Sequence, residues 1–320
     1  MKTCQVFKSN IMEQKHYDVI IIGGGPAGLT AGIYLARAKA KTLILDTGII
    51  GGQMVLTHEI ANYPGIESTS GYQLSSTMKK QAKLFGCDIK SNISISGLDL
   101  ENKLKKITVN GNQVFEATAV ILSTGGRSRM LNVPGETKLK GKGISYCATC
   151  DGDFFQDKEI IVVGGGNSAL EEAVSLTKYA SKVTILHEFD HFQGFQHAIK
   201  EAQENPKIDF IMESHITAFS GKDKLENITY KNLKTGTVSE KNIDGVFILI
   251  GYEPNTGMLK AGPVKMNKRD EVLANESMQT NLQGVFVAGD LREKRYRQVT
   301  TAVSDGTIAA LASLEYIHAL

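Results

Sequence analysis

A glycine-rich turn between a β-branched run and an amphipathic helix occurs twice in this chain, and that repetition restricts its possible folds more than any other feature. Tyr17–Ile22 is the continuous apolar run required of a strand buried on both faces. Gly23-Gly24-Gly25-Pro26-Ala27-Gly28 follows, then a helical pattern to about Ala38 and a second strand, Lys41–Leu45, ending at Asp46. The same order returns as Glu159–Val163, Gly164-Gly165-Gly166-Asn167-Ser168-Ala169, a helix to about Tyr179, and Lys182–Leu186 ending at His187-Glu188. In such a unit the first glycine permits the tight turn. The second lets backbone approach a pyrophosphate, and the third small residue lets helix pack on strand. The helix N-terminus then faces phosphate charge, and an acid closing the second strand can accept from a ribose hydroxyl. The expected fold class is therefore α/β, with two Rossmann-like dinucleotide-binding domains.

Near the C-terminus, Gly284–Asp290 reads as a further strand and turn of the first fold, so the second domain is expected to be inserted into the first. The expected division is an N-terminal extension over 1–16 without period, a first cofactor segment over 17–127, the insert over 128–253, and the returning segment over 254–320. The crossings fall near Arg127–Met130 and Tyr252–Thr256, after the strand-like runs Val120–Leu122 and Val246–Ile250. Two neighbouring crossings make a natural hinge.

A chain of 320 residues accommodates two domains, and a net charge of +2 gives no reason to expect a nucleic-acid partner. The apolar stretch 18–36 is interrupted by Gly23, Gly24, Gly25 and Gly28, which excludes it as a membrane span. Residues 1–17 have no apolar signal-peptide core, so a cytoplasmic location is expected. In a reducing compartment, a close pair among four cysteines reads as catalytic or metal-binding.

That pair is Cys147-Ala148-Thr149-Cys150, followed by Asp151. It has three readings: a redox disulfide, half of a zinc site, or two inert core thiols. Cys4 and Cys87 do not sit at ligand spacing, and His187 and His191 are a weak metal signal, so no metal is expected. Polar Thr149 and Asp151 argue against inert thiols. Only a thiolate attacks a disulfide or a flavin carbon, and Asp151 is the nearest group to move its proton. A helix or turn cap is its plainer role. The second fingerprint ends in Glu188, which repels a 2′-phosphate, and Phe189–Gln193 contains no arginine or lysine. NADPH is disfavoured there, and the fold can also persist without a ligand. The run Arg292, Lys294, Arg295, Arg297 reads either as a solvated face or as a docking patch for an acidic partner. Arg127 and Arg129 lie at the first crossing.

Across nearly its whole length the chain resembles the low-molecular-weight thioredoxin reductases. The pieces that carry the resemblance are Gly23–Gly28, Gly51-Gly52-Gln53, Asn62-Tyr63-Pro64-Gly65, Cys147–Gly152, Gly164–Ala169 with Glu171-Glu172, Ile250-Gly251, Pro254-Asn255-Thr256, Gly284–Asp290 and Tyr296-Arg297-Gln298. The resemblance implies FAD held by Gly23, Gly25, Pro26, Ala27, Gly28, Asp46, Gly52, Gln53, Asn62, Gly289, Asp290, Arg297, Gln298 and Val299. It implies a redox disulfide between Cys147 and Cys150 with Asp151 as its acid/base, Cys150 lying nearer the flavin and Cys147 attacking thioredoxin. It also implies a homodimer and a rotation of the inserted domain about its crossings. One departure matters. The family's NADPH enzymes carry His-Arg-Arg-x-x-x-Arg where this chain has His187-Glu188-Phe189-Asp190-His191-Phe192-Gln193. Losing several charge-assisted phosphate bonds, each worth ~1.5–3 kcal/mol, weakens NADPH by orders of magnitude. The chain thus resembles the ferredoxin-dependent members, with thioredoxin as substrate and acidic ferredoxin docking near Arg292, Lys294 and Arg295. Alternatives are an NADH-dependent reductase with Glu188 on the ribose, and a flavin-bound redox sensor without turnover.

Overall fold

The first β-branched run becomes β1 (Lys15–Ile22), the centre of a parallel sheet in a computed structural model that describes residues 15–57 and 59–320. The strand begins two residues before the expected Tyr17, because residues 15 and 16 already pair with Phe115 and Glu116. The rest of the expected extension, with Cys4, lies outside the described residues. α1 (Pro26–Arg37) starts with proline at its first position, where the missing N–H costs nothing. β2 (Thr42–Leu45) is buried at every residue and pairs with β1. A short 3₁₀ turn spans Gly52–Leu56, and α2 (Gly71–Leu84) opens on a capping box between Ser70 and Gln73. β3 (Asp88–Lys90) adds to β2 in parallel. β4 (Ile95–Asp99) and β5 (Lys105–Val109) then pair antiparallel, leading into the long β6 (Gln113–Leu122).

β7 (Gly126–Ser128) begins the crossing into a second compact unit, residues 127–253. Here α3 (Glu136–Leu139), β8 (Ile144–Ser145) and α4 (Ala148–Asp151) lead to the second fingerprint. β9 (Glu159–Val163), α5 (Asn167–Leu176), β10 (Lys182–Leu186), α6 (Gln196–Glu204) and β11 (Ile208–Ile211) follow. α5 ends three residues short of the expected Tyr179, in a turn where the Tyr179 N–H donates to the Leu176 carbonyl. β12 (Ser214–Ser220), β13 (Asn227–Asn232) and β14 (Val238–Asn242) form a separate antiparallel sheet. β15 (Gly245–Ile248) completes a parallel five-stranded sheet in the order β11-β10-β9-β15-β8. β16 (Tyr252–Pro254) pairs with β7, so the chain leaves the unit beside the point where it entered.

The first unit is completed by residues 254–320. β17 (Val285–Val287) joins the far half of β6 in parallel, and α7 (Val299–His318) packs on α1. A Cβ on Gly306 of α7 would lie 2.2 Å from the Ala27 carbonyl oxygen, so the two helices touch through backbone. Each unit buries its own apolar clusters on the two faces of its parallel sheet.

Candidate functional site

The first glycine turn leaves no room for side chains. Gly23 has φ +109°, and a Cβ there would lie 2.3 Å from the Ser123 carbonyl oxygen. A Cβ on Gly28 would lie 1.9 Å from the Gly23 oxygen. Asp46 secures the turn by accepting from the Gly24 N–H at 2.5 Å and the Gly48 N–H at 2.7 Å. The Gly51 N–H donates to the Gly24 carbonyl at 2.8 Å, which lays Gly52 against Gly25 and leaves Gln53 exposed beside them. Gly23, Asp46, Thr124 and Asn255 border a cavity of about 400 Å³. Gly289 meets Ala27 so closely that a Cβ would lie 2.9 Å from the alanine's own. Gln298 caps α7, with its N–H on the Thr301 hydroxyl at 3.1 Å, and Val299 opens the helix. Asn62 stands exposed on the loop 61–67, which lines a separate cavity of about 530 Å³.

Asp290 is the most informative member of this group. Its Oδ1 is buried without a hydrogen-bond partner. Burial pushes its carboxyl up, against the pull of Lys294 and Arg297, while Asp305 adds to the rise. A buried orphan acceptor beside a Cβ-free cradle and the N-terminus of α1 is the donor–acceptor set that a dinucleotide's hydroxyls and pyrophosphate satisfy. The residues therefore fit FAD.

The basic run after Asp290 is not a solvated patch, which corrects that expectation. Asp305, on α7, accepts from the Gly289 N–H at 3.1 Å and pairs with Lys294 at 2.7 Å and Arg292 at 3.4 Å. The Lys294 side chain is only 7% exposed and that of Arg292 19%. Arg297, expected on the cofactor, pairs with the Glu271 carboxylate. Arg295 is left exposed. Arg292 and Lys294 face inward because one buried acid on α7, Asp305, collects both charges.

In the second unit Cys147 and Cys150 form a disulfide, with their Cα atoms 5.3 Å apart. Ser145 sits at the end of β8 and organises the loop. Its hydroxyl donates to Asp151 Oδ2 at 2.6 Å, and its Oγ accepts the Cys147 N–H at 3.1 Å. Burial pushes the Asp151 carboxyl up, Ser145 pulls it down, and the Asp153 charge raises it again. From α5, Glu172 Oε2 accepts the Ala148 N–H at 3.0 Å. Phe155 anchors the far side, its ring edge-on to Phe247 at 5.1 Å and pressed on Gly245. The Tyr146 hydroxyl donates at 2.7 Å to Glu136, whose carboxylate also accepts the N–H groups of Leu131, Asn132 and Val133. Sequence reasoning passed over Ser145 and Glu136, and it gave Glu172 no role at the disulfide. Only the adjacency of Ser145 and Tyr146 to the cysteines could have singled any of them out.

The second glycine turn is covered by its own chain. The His187 ring is 4% exposed, and a Cβ on Gly165 would lie 2.4 Å from it. Phe192 stacks on that ring at 5.7 Å. The Gln193 N–H donates to the Gly165 carbonyl at 2.8 Å and the Phe195 N–H to Asn167 Oδ1 at 2.5 Å. Glu188 and Asp190 are exposed, and His191 holds the Asp190 carboxyl low.

This fold and this site define a dithiol–disulfide oxidoreductase with a dinucleotide cradle. The family model described as pyridine nucleotide-disulphide oxidoreductase matches residues 17–306. A thioredoxin reductase of Peptoclostridium acidaminophilum is 43% identical over 311 residues, covering 95% of this chain and 98% of that protein. A 34.2 kDa protein in the rubredoxin operon of Clostridium pasteurianum is 43% identical over 305 residues, covering 95% and 98%. The crystal structure of thioredoxin reductase from Streptococcus pyogenes MGAS5005 matches with a TM-score of 0.91 at 38% identity, covering 96% of this chain and 100% of that one. The chain belongs to the low-molecular-weight thioredoxin reductase family. FAD is its cofactor.

Proposed function

We propose that the protein reduces the disulfide of thioredoxin through Cys147 and Cys150 and draws its electrons from reduced ferredoxin instead of a nicotinamide dinucleotide. The observation that carries the donor assignment is the segment 187–193, which has no arginine or lysine and presents the carboxylates of Glu188 and Asp190. A 2′-phosphate there would meet like charge without a compensating hydrogen bond. The docking patch does not support the assignment, since Arg292 and Lys294 are spent on Asp305.

Bound FAD supplies the two-electron store from which the disulfide is reduced. The residues proposed to hold it are Gly23, Gly25, Pro26, Ala27, Gly28, Asp46, Gly52, Gln53, Asn62, Gly289, Asp290, Arg297, Gln298 and Val299, all within the unit of residues 15–126 and 254–320. In the reduced pair, the Cys147 thiolate attacks one sulfur of the thioredoxin disulfide. A mixed disulfide forms and one thioredoxin thiolate leaves. Cys150, deprotonated by Asp151, then attacks Cys147 Sγ. The Cys147–Cys150 bond re-forms, the second thioredoxin thiolate departs, and the thioredoxin dithiol takes one proton from Asp151 and one from solvent. Ser145 keeps Asp151 aimed at the loop. The same reading makes the protein a cytoplasmic homodimer.

Anaerobic titration tests the donor. Reduced ferredoxin is expected to bleach the flavin, and NADPH or NADH at micromolar concentration is not. Bleaching by NADH would replace this reading with the second one, in which exposed Glu188, directly after β10, binds a ribose diol. A Cys150→Ser protein that reduced thioredoxin at the wild-type rate would overturn the disulfide mechanism, whatever the donor.

A further inference from the structure

Reducing the Cys147–Cys150 bond takes up two electrons and two protons, and Asp151 accounts for one proton. A second buried carboxylate is tied to the same loop from a different helix. Glu172 lies in α5, and its Oε2 takes the N–H of Ala148, the residue directly after Cys147, at 3.0 Å. That N–H is thereby withheld from a thiolate on Cys147, and a negative charge stands next to the loop instead. Asp151 approaches through Ser145 and Glu172 through Ala148, so the two acids hold the loop by separate backbone and hydroxyl contacts.

We propose that Glu172 is a positioning residue for the disulfide couple: it disfavours a second thiolate in the reduced pair, so that the dithiol keeps a proton until its partner disulfide arrives. Nearby opposite or like charge is what moves a thiol between its two states. Burial pushes the Glu172 carboxyl itself up, the Ala148 N–H pulls it down, and the charge of Glu171 on the same helix raises it. The other titratable groups on the elements packed against α5 are Asp151 and Asp153 beside the disulfide, His197, Lys200, Glu201 and Glu204 on α6, and Glu159 and Lys182 on β9 and β10. Of these, His197 faces Glu171 at 4.0 Å. The inference rests on the reading of Cys147 and Cys150 as the redox pair.

The test reduces the full-length holoprotein with dithiothreitol and measures iodoacetamide alkylation of Cys147 and Cys150 against pH by peptide-resolved mass spectrometry. Glu172→Gln keeps an oxygen for the Ala148 N–H and lacks the charge. It is expected to speed alkylation of Cys147 at neutral pH by roughly threefold or more and to move the inflection to lower pH. A Glu172→Gln profile that superimposes on wild type overturns the assignment, while thioredoxin reduction by the wild-type protein stays intact. A wild-type disulfide that dithiothreitol leaves closed would instead sink the redox reading beneath it. Should Glu172→Gln not fold, Asp151→Asn decides. A carboxylate inflection is expected to persist in its Cys147 profile, and a single-step thiol titration overturns the proposal.

Discussion

At the scale of single residues, much of the chemistry rests on groups whose surroundings change their protonation. Asp151 is held up by burial, so its folded-state value lies above its unfolded one. The stability linked to it is complete at low pH and is lost as pH rises through the folded value. Asp151→Asn removes that loss. Its melting temperature relative to wild type should therefore rise as pH increases upward from the ordinary carboxylate range, while thioredoxin reduction falls by ~10²-fold or more. Calorimetry and a steady-state assay on the same preparations check both signs. Ser145→Ala removes the hydroxyl that pulls the Asp151 carboxyl down, so the acid limb of the pH–rate profile should move to higher pH. A profile that kept its wild-type position would refute that role for Ser145. None of this could be read from the sequence beyond Asp151. A buried Glu136 or Glu172 is written with the same letter as a solvated one, and only the partners that fold around it separate the two. Arg292 and Lys294 misled for the same reason, because their neutralising acid, Asp305, lies on a helix that begins after them.

At the scale of elements, the two fingerprints were legible because a strand–turn–helix unit makes local demands that only particular residues meet. Gly28 has no space for a methyl group, since the nearest atom is backbone and cannot rotate away. Gly28→Ala should therefore yield protein without bound flavin, seen as loss of visible absorbance after purification, and retention of full colour would contradict the cradle. Helix ends were less legible. α5 stops at Leu176 although the apolar pattern runs on, because the following turn bonds back to it. The loop before the disulfide depends on one acid. Glu136 is 1% exposed and accepts three backbone N–H groups and the Tyr146 hydroxyl. Glu136→Ala would leave those partly buried donors without their acceptor, a loss of about 3 kcal/mol or more in a denaturant titration.

At the scale of the whole molecule, the chain is two units with separate cores, and among the described residues no helix is long and apolar enough to cross a membrane. Calorimetry should resolve two transitions, of which Glu136→Ala lowers the one that leaves flavin absorbance unchanged. A single transition that releases flavin in step would contradict independent units. The insertion was legible from the recurrence of the fingerprint and from the late strand at Val285–Val287, because a parallel sheet needs every strand to return to one layer. The pairing of β7 with β16 carries one more consequence. Neighbouring strands lie ~4.8 Å apart, so the two cut ends left by removing residues 127–253 would already be close enough for a short splice. The insert behaves topologically as a cassette. A lineage could exchange its electron supplier by trading that cassette, or only its seven-residue mouth, without redesigning the flavin cradle.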